Sequence, residues 1–283
     1  MENSNLIGSS DDIESEVAYL EGLNAAIASV SEQMKNTWIK ETVAQRYIRI
    51  NDLVFEKFDG IVQAGPFKGM KIPKASTWTY NHTAQMILGL YEKSVHDVLF
   101  RSEFLDRRTF IDVGAADGYY LIGLCLSGRM DQAYGFEIVA NSRDAISRNA
   151  KINNQRQKIA IKGIADYDSM TSLLDCIEMS NVILLVDIEG GEFDFLCEEL
   201  LSLLKECVIV IEVHNWIDNF EDKYRQFLKH AKRLFKIEAL RQTSIDFERL
   251  NLLPEFPDDN RFLLMSEGRP CLMRYLVLSP KEK

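Results

Sequence analysis

The stretch between residues 75 and 253 contains no proline, and it alternates short apolar runs with segments of helical periodicity. The apolar runs have the length of strands, and the segments between them have the length of helices. The predicted strands are Phe110–Val113, Ala133–Ile138, Ile159–Ile164, Val182–Asp187 and Cys207–Val213. The predicted helices between them are Tyr119–Ser127, Asn141–Asn153, Ser169–Met179 and Phe193–Leu204. Repeated strand–helix units of this length are typical of an α/β fold with a parallel sheet covered by helices on both faces.

The two ends of the chain extend this pattern differently. Further strands are predicted at Phe235–Leu240 and Leu272–Leu278, so we assign residues 60–283 to one α/β domain. Residues 1–59 are predicted to form a helical N-terminal extension, in which apolar residues recur at a spacing close to 3.5. This apolar stripe would either join two chains in a homodimer or pack on the domain of its own chain, and the extension could also cap a substrate. The residues of the stripe are Ile13, Val17, Leu20, Leu23, Ile27, Val30, Met34 and Trp38.

The charge of the chain narrows the choice of partners. Lys and Arg number 33 and Asp and Glu number 43, which gives a formal net charge of −10. We expect no nucleic-acid partner, because phosphate binding needs a positive surface. No run of 18 apolar residues could span a bilayer, and the first residues lack the features of a secretory signal. The expected location is therefore cytoplasmic.

A glycine turn follows the first predicted strand. In an open parallel sheet, ligands bind beyond the carboxyl ends of the strands, so the residues that follow each strand are the candidates for a site. Gly114 and Gly118 bracket a tight turn into the next helix, and Asp112 lies two residues before the first glycine. The small Ala115 would let a ligand approach the backbone. This spacing differs from the GxGxxG pattern of dinucleotide-binding proteins.

The second and third predicted strands also end in polar residues. Glu137 closes the second strand, 23 residues after Gly114. An acid at this place can accept hydrogen bonds from both ribose hydroxyls of a nucleoside. Ala165 and Asp166 follow the third strand, where a polar side chain can reach an adenine edge. The glycine turn and these residues together predict a ligand that contains adenosine.

Acidic residues also gather after the fourth strand and within the fifth. Asp187, Glu189 and Glu192 lie within six residues, a density of carboxylates that is costly unless they are solvated, paired or used. Glu212 lies inside an apolar strand, and His214 follows on the same side two residues later. Glu212 and His214 are therefore candidate acid–base or substrate-binding groups. The alternative is a helix-capping acid and a surface histidine.

Four segments resemble a known family. They are DVGAADG at 112–118, GFE at 135–137, LLVDIEGGE at 184–192 and VIVIEVH at 208–214. Together they resemble the class I S-adenosylmethionine-dependent methyltransferases, and more narrowly the FkbM family, whose most specific element is DxEGxE. The resemblance covers about residues 60–278, and it implies a Rossmann-like fold with a mostly parallel seven-stranded sheet. One departure is Ala116, where many methyltransferases carry glycine.

The resemblance implies S-adenosylmethionine as the cofactor and assigns residues to its parts. The residues around the methionine part would be Asp112, Gly114, Ala115, Asp117 and Gly118, with Asp117 facing its amino group. Glu137 would hold the ribose, Ala165 and Asp166 would lie near adenine, and Asp187 would close the site near the sulfonium. An acidic rim suits a cofactor that is cationic at sulfur.

The resemblance also implies O-methylation of a hydroxyl on a sugar, a glycan precursor or another natural product. Methyl transfer requires the acceptor in line with the sulfonium and water excluded. The candidate bases are His214 and Glu212, and Glu189 and Asp187 would position the acceptor. Some class I O-methyltransferases instead use a divalent metal, which Asp187, Glu189 and Glu212 could hold. We do not predict a metal from the sequence.

Two other functions are compatible with the same pattern. One is an oxidoreductase that binds a nicotinamide cofactor on a similar fold. The other is a relative without catalytic activity that keeps the fold as an interaction module, with the N-terminal helix as its contact surface. The acidic and glycine positions argue for cofactor binding without proving turnover.

Overall fold

The computed structural model describes residues 17–18, 20–22, 24–25, 42–74, 82–241, 247–266 and 274–281. Its strands are β1 (Thr109–Val113), β2 (Gln132–Phe136), β3 (Ile159–Lys162), β4 (Val182–Val186), β5 (Val208–Val213), β6 (Phe235–Arg241) and β7 (Arg274–Pro280). They form a seven-stranded sheet in the order β3-β2-β1-β4-β5-β7-β6. Strands β1 to β5 run parallel, and β7 pairs antiparallel with both β5 and β6. The predicted α/β fold of the Rossmann-like class I methyltransferase type is confirmed.

The central strands fix where the site lies. Strands β1, β4 and β5 are buried along their whole length, as their runs of branched apolar residues predict for a sheet covered on both faces. Val113 pairs with Phe136 on one side and with Val186 on the other, and Val186 pairs with Ile211. The carboxyl ends of these parallel strands therefore meet at one edge of the sheet.

Helices cover both faces of the sheet. They are α1 (Val43–Phe58), α2 (Thr83–Leu88), α3 (Lys93–Leu99), α4 (Tyr119–Leu126), α5 (Ala140–Ile152), α6 (Tyr167–Leu174), α7 (Glu192–Phe195), α8 (Glu198–Leu203), α9 (Phe220–Leu234) and α10 (Asp258–Leu263). The single helix predicted over Phe193–Leu204 is instead the two short helices α7 and α8. The break occurs because Leu196 is packed into the core and Cys197 adopts an extended backbone before α8.

Each face of the sheet carries its own apolar core. The first core contains Phe110 of β1 and Val210 of β5, whereas Ile111 belongs to the core on the opposite face. Side chains alternate between the two faces along a strand. Asp112 and Glu212 therefore point from the same face as Phe110 and Val210, toward the first core.

Helix α1 contributes to the first core. Its Ile50 and Val54 are fully buried there, and burial of each side chain stabilises the fold by about 1.5–3 kcal/mol. The helix begins at a capping box in which the side chains of Thr42 and Gln45 each accept the other's backbone N–H. The last part of the predicted helical extension is thus a helix that packs together with the sheet.

Part of the N-terminal stripe is also described. The described residues between 17 and 25 are helical, as the apolar spacing predicts, and Val17 and Leu20 of the stripe are exposed. The rest of the stripe lies outside the described residues, and the division of the chain near residue 60 stays a prediction. Within the described ranges, no helix has both the length and the apolar character needed to cross a bilayer.

Candidate functional site

Residues 114–118, which we call the glycine loop, join β1 to α4 in a tight turn. Gly114 has a φ of +95°, and a Cβ placed on it would lie 1.7 Å from the carbonyl oxygen of Asp187. Only glycine therefore permits the end of β4 to approach this closely. Ala116 adopts a left-handed φ of +47°, which costs a residue with a side chain about 1–2 kcal/mol and explains why glycine is common here.

Glu137 connects the glycine loop to the end of β2. Its side chain is buried, and one carboxylate oxygen accepts the N–H of Ala116 at 2.9 Å while the other accepts the N–H of Val139 at 2.7 Å. A carboxylate has about four acceptor positions, so each oxygen keeps capacity for one further hydrogen bond. The predicted ribose-binding residue thus also shapes the loop, and two hydroxyl groups could still bind to it.

Two large apolar residues are exposed beside Glu137 at the ends of the neighbouring strands. Ile138 is 73% exposed and Ile164 is 63% exposed. Strands β2 and β3 are paired, so these residues belong to neighbouring loops at the same edge of the sheet. Exposed apolar surface next to a buried carboxylate suits a flat, apolar ring attached to a polar sugar.

The predicted adenine-side residues lie at the same edge. Ala165 is half-buried, and Asp166 is exposed. Asp166 caps helix α6, where its Oδ1 accepts the backbone N–H of Ser169 at 2.8 Å, and this hydrogen bond lowers the pKa of Asp166. Asp166 therefore has a structural role at the start of α6, and its contact with a ligand stays a prediction.

The inner side of the glycine loop is covered by other parts of the chain. Ala115, Asp117 and Gly118 are buried, and the backbone carbonyl of Asp117 accepts a hydrogen bond from Nδ2 of Asn149 at 2.9 Å. A narrow cavity beside Asp117 is lined by residues 70–73. A ligand group that reached Asp117 from this side would have to displace that segment.

On the other side of β1, the ends of β4 and β5 bring together what we call the carboxylate–histidine cluster. It consists of Asp187, Glu189, Glu192, Glu212 and His214. Nδ1 of His214 lies 2.7 Å from Oε1 of Glu192, and Nε2 lies 3.6 Å from Oδ1 of Asp187 and 3.6 Å from Oε2 of Glu189. The prediction that Glu212 and His214 share one side of the strand is confirmed, and the alternative of a surface histidine is wrong, because His214 is buried.

Glu192 holds this cluster in place. It is fully buried, and its Oε1 accepts the backbone N–H groups of Ile188 at 3.1 Å and Gly190 at 3.0 Å besides contacting His214. Glu189 takes a left-handed φ of +55°, a strained conformation of the kind found at functional sites. The loop after β4 is thus folded around a single buried carboxylate.

The charges in the cluster depend on one another. Burial and the neighbouring Glu212 carboxylate raise the pKa of Asp187 well above its ordinary value. Burial opposes a charge on His214, but its bond to Glu192 and the surrounding carboxylates outweigh this and raise the pKa of His214. Burial likewise opposes ionisation of Glu192, yet the hydrogen bonds from His214 and Gly190 lower the pKa of Glu192.

A second group of buried acids lies behind the glycine loop. Asp112 is buried in β1, and burial together with Glu92 and Glu137 raises the pKa of Asp112 to about 8. Glu92 is itself buried, and it accepts a hydrogen bond of 2.6 Å from the hydroxyl of Tyr120. Glu92 also raises the pKa of Asp187, so acidic side chains that influence one another extend from β1 to β4.

The sequence does not identify some residues of the site. The apolar pattern predicts Ile138 and Ile164 as the last residues of strands, and Glu92 lies in a segment with no strand pattern. Glu192 is noted as one of three acids, but its role in orienting His214 depends on the folded loop. The only feature of the sequence that indicates a role for Glu192 and His214 is their position after predicted strands, which the structure shows to be the paired strands β4 and β5.

Comparisons with known proteins add little beyond the architecture. No family model matches the chain, and no curated protein matches it. Similar solved structures include Sp1610 from Streptococcus pneumoniae in complex with S-adenosyl-L-methionine, with 18% identity, a TM-score of 0.45, and coverage of 68% of this chain and 74% of that one. The O-methyltransferase from Bacillus cereus in complex with SAH has 11% identity, a TM-score of 0.45, and coverage of 93% and 100%. Precorrin-6y C5,15-methyltransferase from Geobacter metallireducens has 17% identity, a TM-score of 0.41, and coverage of 68% and 90%. Likeness at this level says nothing about the activity of this chain.

Proposed function

We propose that this chain is an S-adenosylmethionine-dependent methyltransferase that methylates a hydroxyl of a sugar, a glycan precursor or another natural product. The observation that carries the proposal is the grouping of Glu137, Ile138 and Ile164 at the ends of β2 and β3, which we call the nucleoside seat. There the buried carboxylate of Glu137 keeps acceptor capacity for two hydroxyls, and Ile138 and Ile164 expose apolar surface beside it.

The acidic surroundings fit this cofactor. When bound, S-adenosylmethionine supplies an electrophilic methyl group on a positively charged sulfur. Asp112, Glu92 and Asp187 place acidic groups behind and beside the glycine loop, where burial and the repulsion between them raise the pKa of Asp112 and of Asp187, and a nearby cation would relieve this repulsion. The same carboxylates would oppose the phosphates of a nicotinamide dinucleotide, so we favour methyl transfer over hydride transfer.

The carboxylate–histidine cluster would form the acceptor side of the site. Glu212, Glu189 and His214 place oxygen and nitrogen acceptor atoms at the ends of β5 and β4, and β4 pairs with the strand that precedes the glycine loop. These atoms would orient an acceptor hydroxyl and take up its proton. Glu192 fixes the ring of His214 through Nδ1, which leaves Nε2 directed at the acceptor side.

We also propose membership of the FkbM family and a small-molecule or glycan acceptor. The DxEGxE segment supports the family proposal, because its last acid organises the loop and orients His214. The net charge of −10 supports an acceptor other than nucleic acid. A homodimer through the N-terminal stripe is a further proposal, supported by the exposure of Val17 and Leu20.

The proposal is tested by the binding of S-adenosylhomocysteine to variants of the exposed isoleucines. We expect this ligand to raise the melting temperature of the wild type, as any ligand of the native state does. Ile138→Ser and Ile164→Ser should each weaken binding at least fivefold, because each loses apolar contact with the ligand. Glu137→Ala is a poorer probe, since it would also leave two backbone amides without their acceptor.

The matched control is Ile152→Ser. Ile152 is 46% exposed at the end of α5, so this substitution removes similar surface away from the glycine loop. It should leave the affinity unchanged, and all three variants should unfold within about 0.5 kcal/mol of the wild type. If the Ile138, Ile164 and Ile152 variants all bind S-adenosylhomocysteine with equal affinity, the nucleoside does not bind at Ile138 and Ile164, and the proposal loses its main support.

A further inference from the structure

The indole ring of Trp216 is exposed beside the buried imidazole of His214. The centroids of the two rings lie 4.9 Å apart and the ring planes meet at 73°, so one ring directs its edge at the face of the other. Trp216 is 45% exposed, whereas His214 is buried. Tryptophan is largely buried in most folded proteins, so a large apolar ring that stays in water beside the carboxylate–histidine cluster indicates a binding surface.

Two loops that pack together carry this ring. Trp216 belongs to residues 214–219, which we call the β5 loop, and the loop after β4, residues 187–191, is called the β4 loop. A Cβ on Gly190 would lie 2.3 Å from Cγ2 of Ile217, so Ile217 occupies the space that a side chain at position 190 would need. The close packing of the two loops gives Trp216 a fixed base.

Glu189 of the β4 loop lies on the same surface. Its Oε2 is 3.6 Å from Nε2 of His214, and its side chain is 63% exposed. Its backbone has a left-handed φ of +55°, a conformation that persists only where the surrounding packing enforces it. His214 therefore has an exposed indole against its ring and an exposed carboxylate near its outer nitrogen.

The charge of this surface disfavours an acidic ligand. Among the described residues, every ion pair of Asp187, Glu189 and Glu192 involves His214, and no lysine or arginine joins them. Phosphate and carboxylate groups bind most strongly to Arg and Lys side chains. A ligand that suits this surface is therefore uncharged, with hydroxyl groups that donate to a carboxylate and apolar surface that covers the indole.

A sugar ring combines these properties. The C–H groups on one side of a pyranose ring form an apolar face, and the hydroxyl groups around its rim donate hydrogen bonds. A flat phenolic ring would also cover the indole, but it offers fewer hydroxyl groups to the carboxylate. An apolar wall with a few placed polar groups is the usual composition of a site for a small molecule, and here it favours a sugar.

We propose that Trp216 and Glu189 bind an uncharged pyranose ring, with its C–H face on the indole and one of its hydroxyl groups donating to Glu189. We call this pair the sugar seat. A neighbouring hydroxyl of the same ring would then lie near Nε2 of His214. Use of the bound sugar as the methyl acceptor rests on the proposed methyltransferase function, whereas binding of the sugar does not.

The test is saturation-transfer NMR of the full chain with the methyl pyranosides of glucose, galactose, mannose, fucose and xylose. We expect at least one of these glycosides to show saturation of its ring C–H protons, and sorbitol, which has hydroxyl groups but no ring, to show none. Trp216→Ala should weaken binding of that glycoside about tenfold, because it removes the apolar contact. Trp216→Phe keeps an aromatic face and should retain most of the affinity, and Glu189→Ala should weaken binding about threefold through loss of a hydrogen bond.

The matched control is Leu105→Ala. Leu105 is 50% exposed in the segment before β1, so this substitution removes exposed apolar surface at the opposite edge of the sheet. It should leave glycoside binding unchanged. Absence of saturation with all five glycosides in the folded wild type would overturn the inference, and so would equal affinity in Trp216→Ala and Leu105→Ala. Tighter binding of catechol or of glucose 1-phosphate than of any glycoside would also overturn it.

Binding of S-adenosylhomocysteine in the same samples separates this inference from the proposed function. We expect Trp216→Ala to bind S-adenosylhomocysteine as the wild type does, because the nucleoside seat lies on the other side of β1. Glycoside binding without S-adenosylhomocysteine binding would contradict the methyltransferase proposal and leave the sugar seat in place. S-adenosylhomocysteine binding without any glycoside signal would overturn the sugar seat alone.

Discussion

Gly114 and Gly69 show two different reasons why a position requires glycine, a positive φ angle and a close approach of other atoms. Both have strongly positive φ angles, +95° and +90°. A Cβ on Gly114 would collide with the Asp187 carbonyl, whereas a Cβ on Gly69 would meet no atom within 4 Å. The first position thus combines backbone strain with a close approach, and the second has backbone strain alone.

We predict that Gly114→Ala destabilises the protein more than Gly69→Ala does. Gly69→Ala should cost about 1–2 kcal/mol from the left-handed backbone alone. Gly114→Ala should cost at least about 2 kcal/mol more, because β1 and β4 must move apart to admit the methyl group. Urea unfolding of both variants measures the difference, and equal losses would contradict the close approach seen here.

His96 makes the stability of the protein dependent on pH. It is buried against Phe67, with a distance of 4.5 Å between ring centroids, and neither ring nitrogen has a hydrogen-bond partner among the described residues. Burial, assisted by the charge of Lys93, lowers the pKa of His96 to about 3. The unfolded chain therefore binds a proton that the folded chain excludes whenever the pH lies between about 3 and 6.5.

We predict that His96→Phe flattens the acid side of the stability profile. In the wild type, His96 does not lower the free energy of unfolding above pH 6.5. Below that pH it lowers the free energy of unfolding increasingly, by about 2 kcal/mol at pH 5. Phenylalanine keeps the ring contacts and has no proton to exclude. Unfolding free energies at pH 7 and pH 5 should therefore differ by about 2 kcal/mol less in the variant, and an unchanged difference would assign the acid sensitivity to other groups.

The strands show what an apolar pattern can and cannot predict. β1 and β4 are predicted to within one residue at each end, because buried parallel strands are continuous apolar runs with polar residues after them. β2 and β3 end two residues before their predicted ends. Ile138 and Ile164 continue the apolar pattern past the last strand residue, but they lie at the open edge of the sheet, where exposure rather than burial defines their role.

The N-terminal stripe stays open to experiment. Val17 and Leu20 expose apolar surface that a second chain could cover. We predict that deletion of residues 1–36 lowers the molar mass measured by light scattering from that of a dimer to that of a monomer. If the truncated protein contains the same number of chains per particle as the full-length protein, the result would favour packing of the stripe on its own domain.

At the scale of the whole molecule, several acidic residues are grouped at the edge of the sheet where the parallel strands end. The sequence predicts that carboxylates follow the strands, and the parallel register brings Asp187 and Glu212 to one edge because β4 and β5 are neighbours. It does not predict that Glu92 joins them from the segment before β1, or that Glu192 turns back to hold His214. Those contacts depend on loop conformation and on packing between distant parts of the chain, which periodicity does not record.

The most direct test of the methyltransferase proposal is calorimetric titration of the full chain with S-adenosylhomocysteine and, separately, with NAD⁺. The nucleoside seat at Glu137 and the carboxylates around the glycine loop predict one bound S-adenosylhomocysteine per chain and no binding of NAD⁺. Saturable binding of NAD⁺, with no heat from millimolar S-adenosylhomocysteine, would contradict the proposal and favour an oxidoreductase on the same fold.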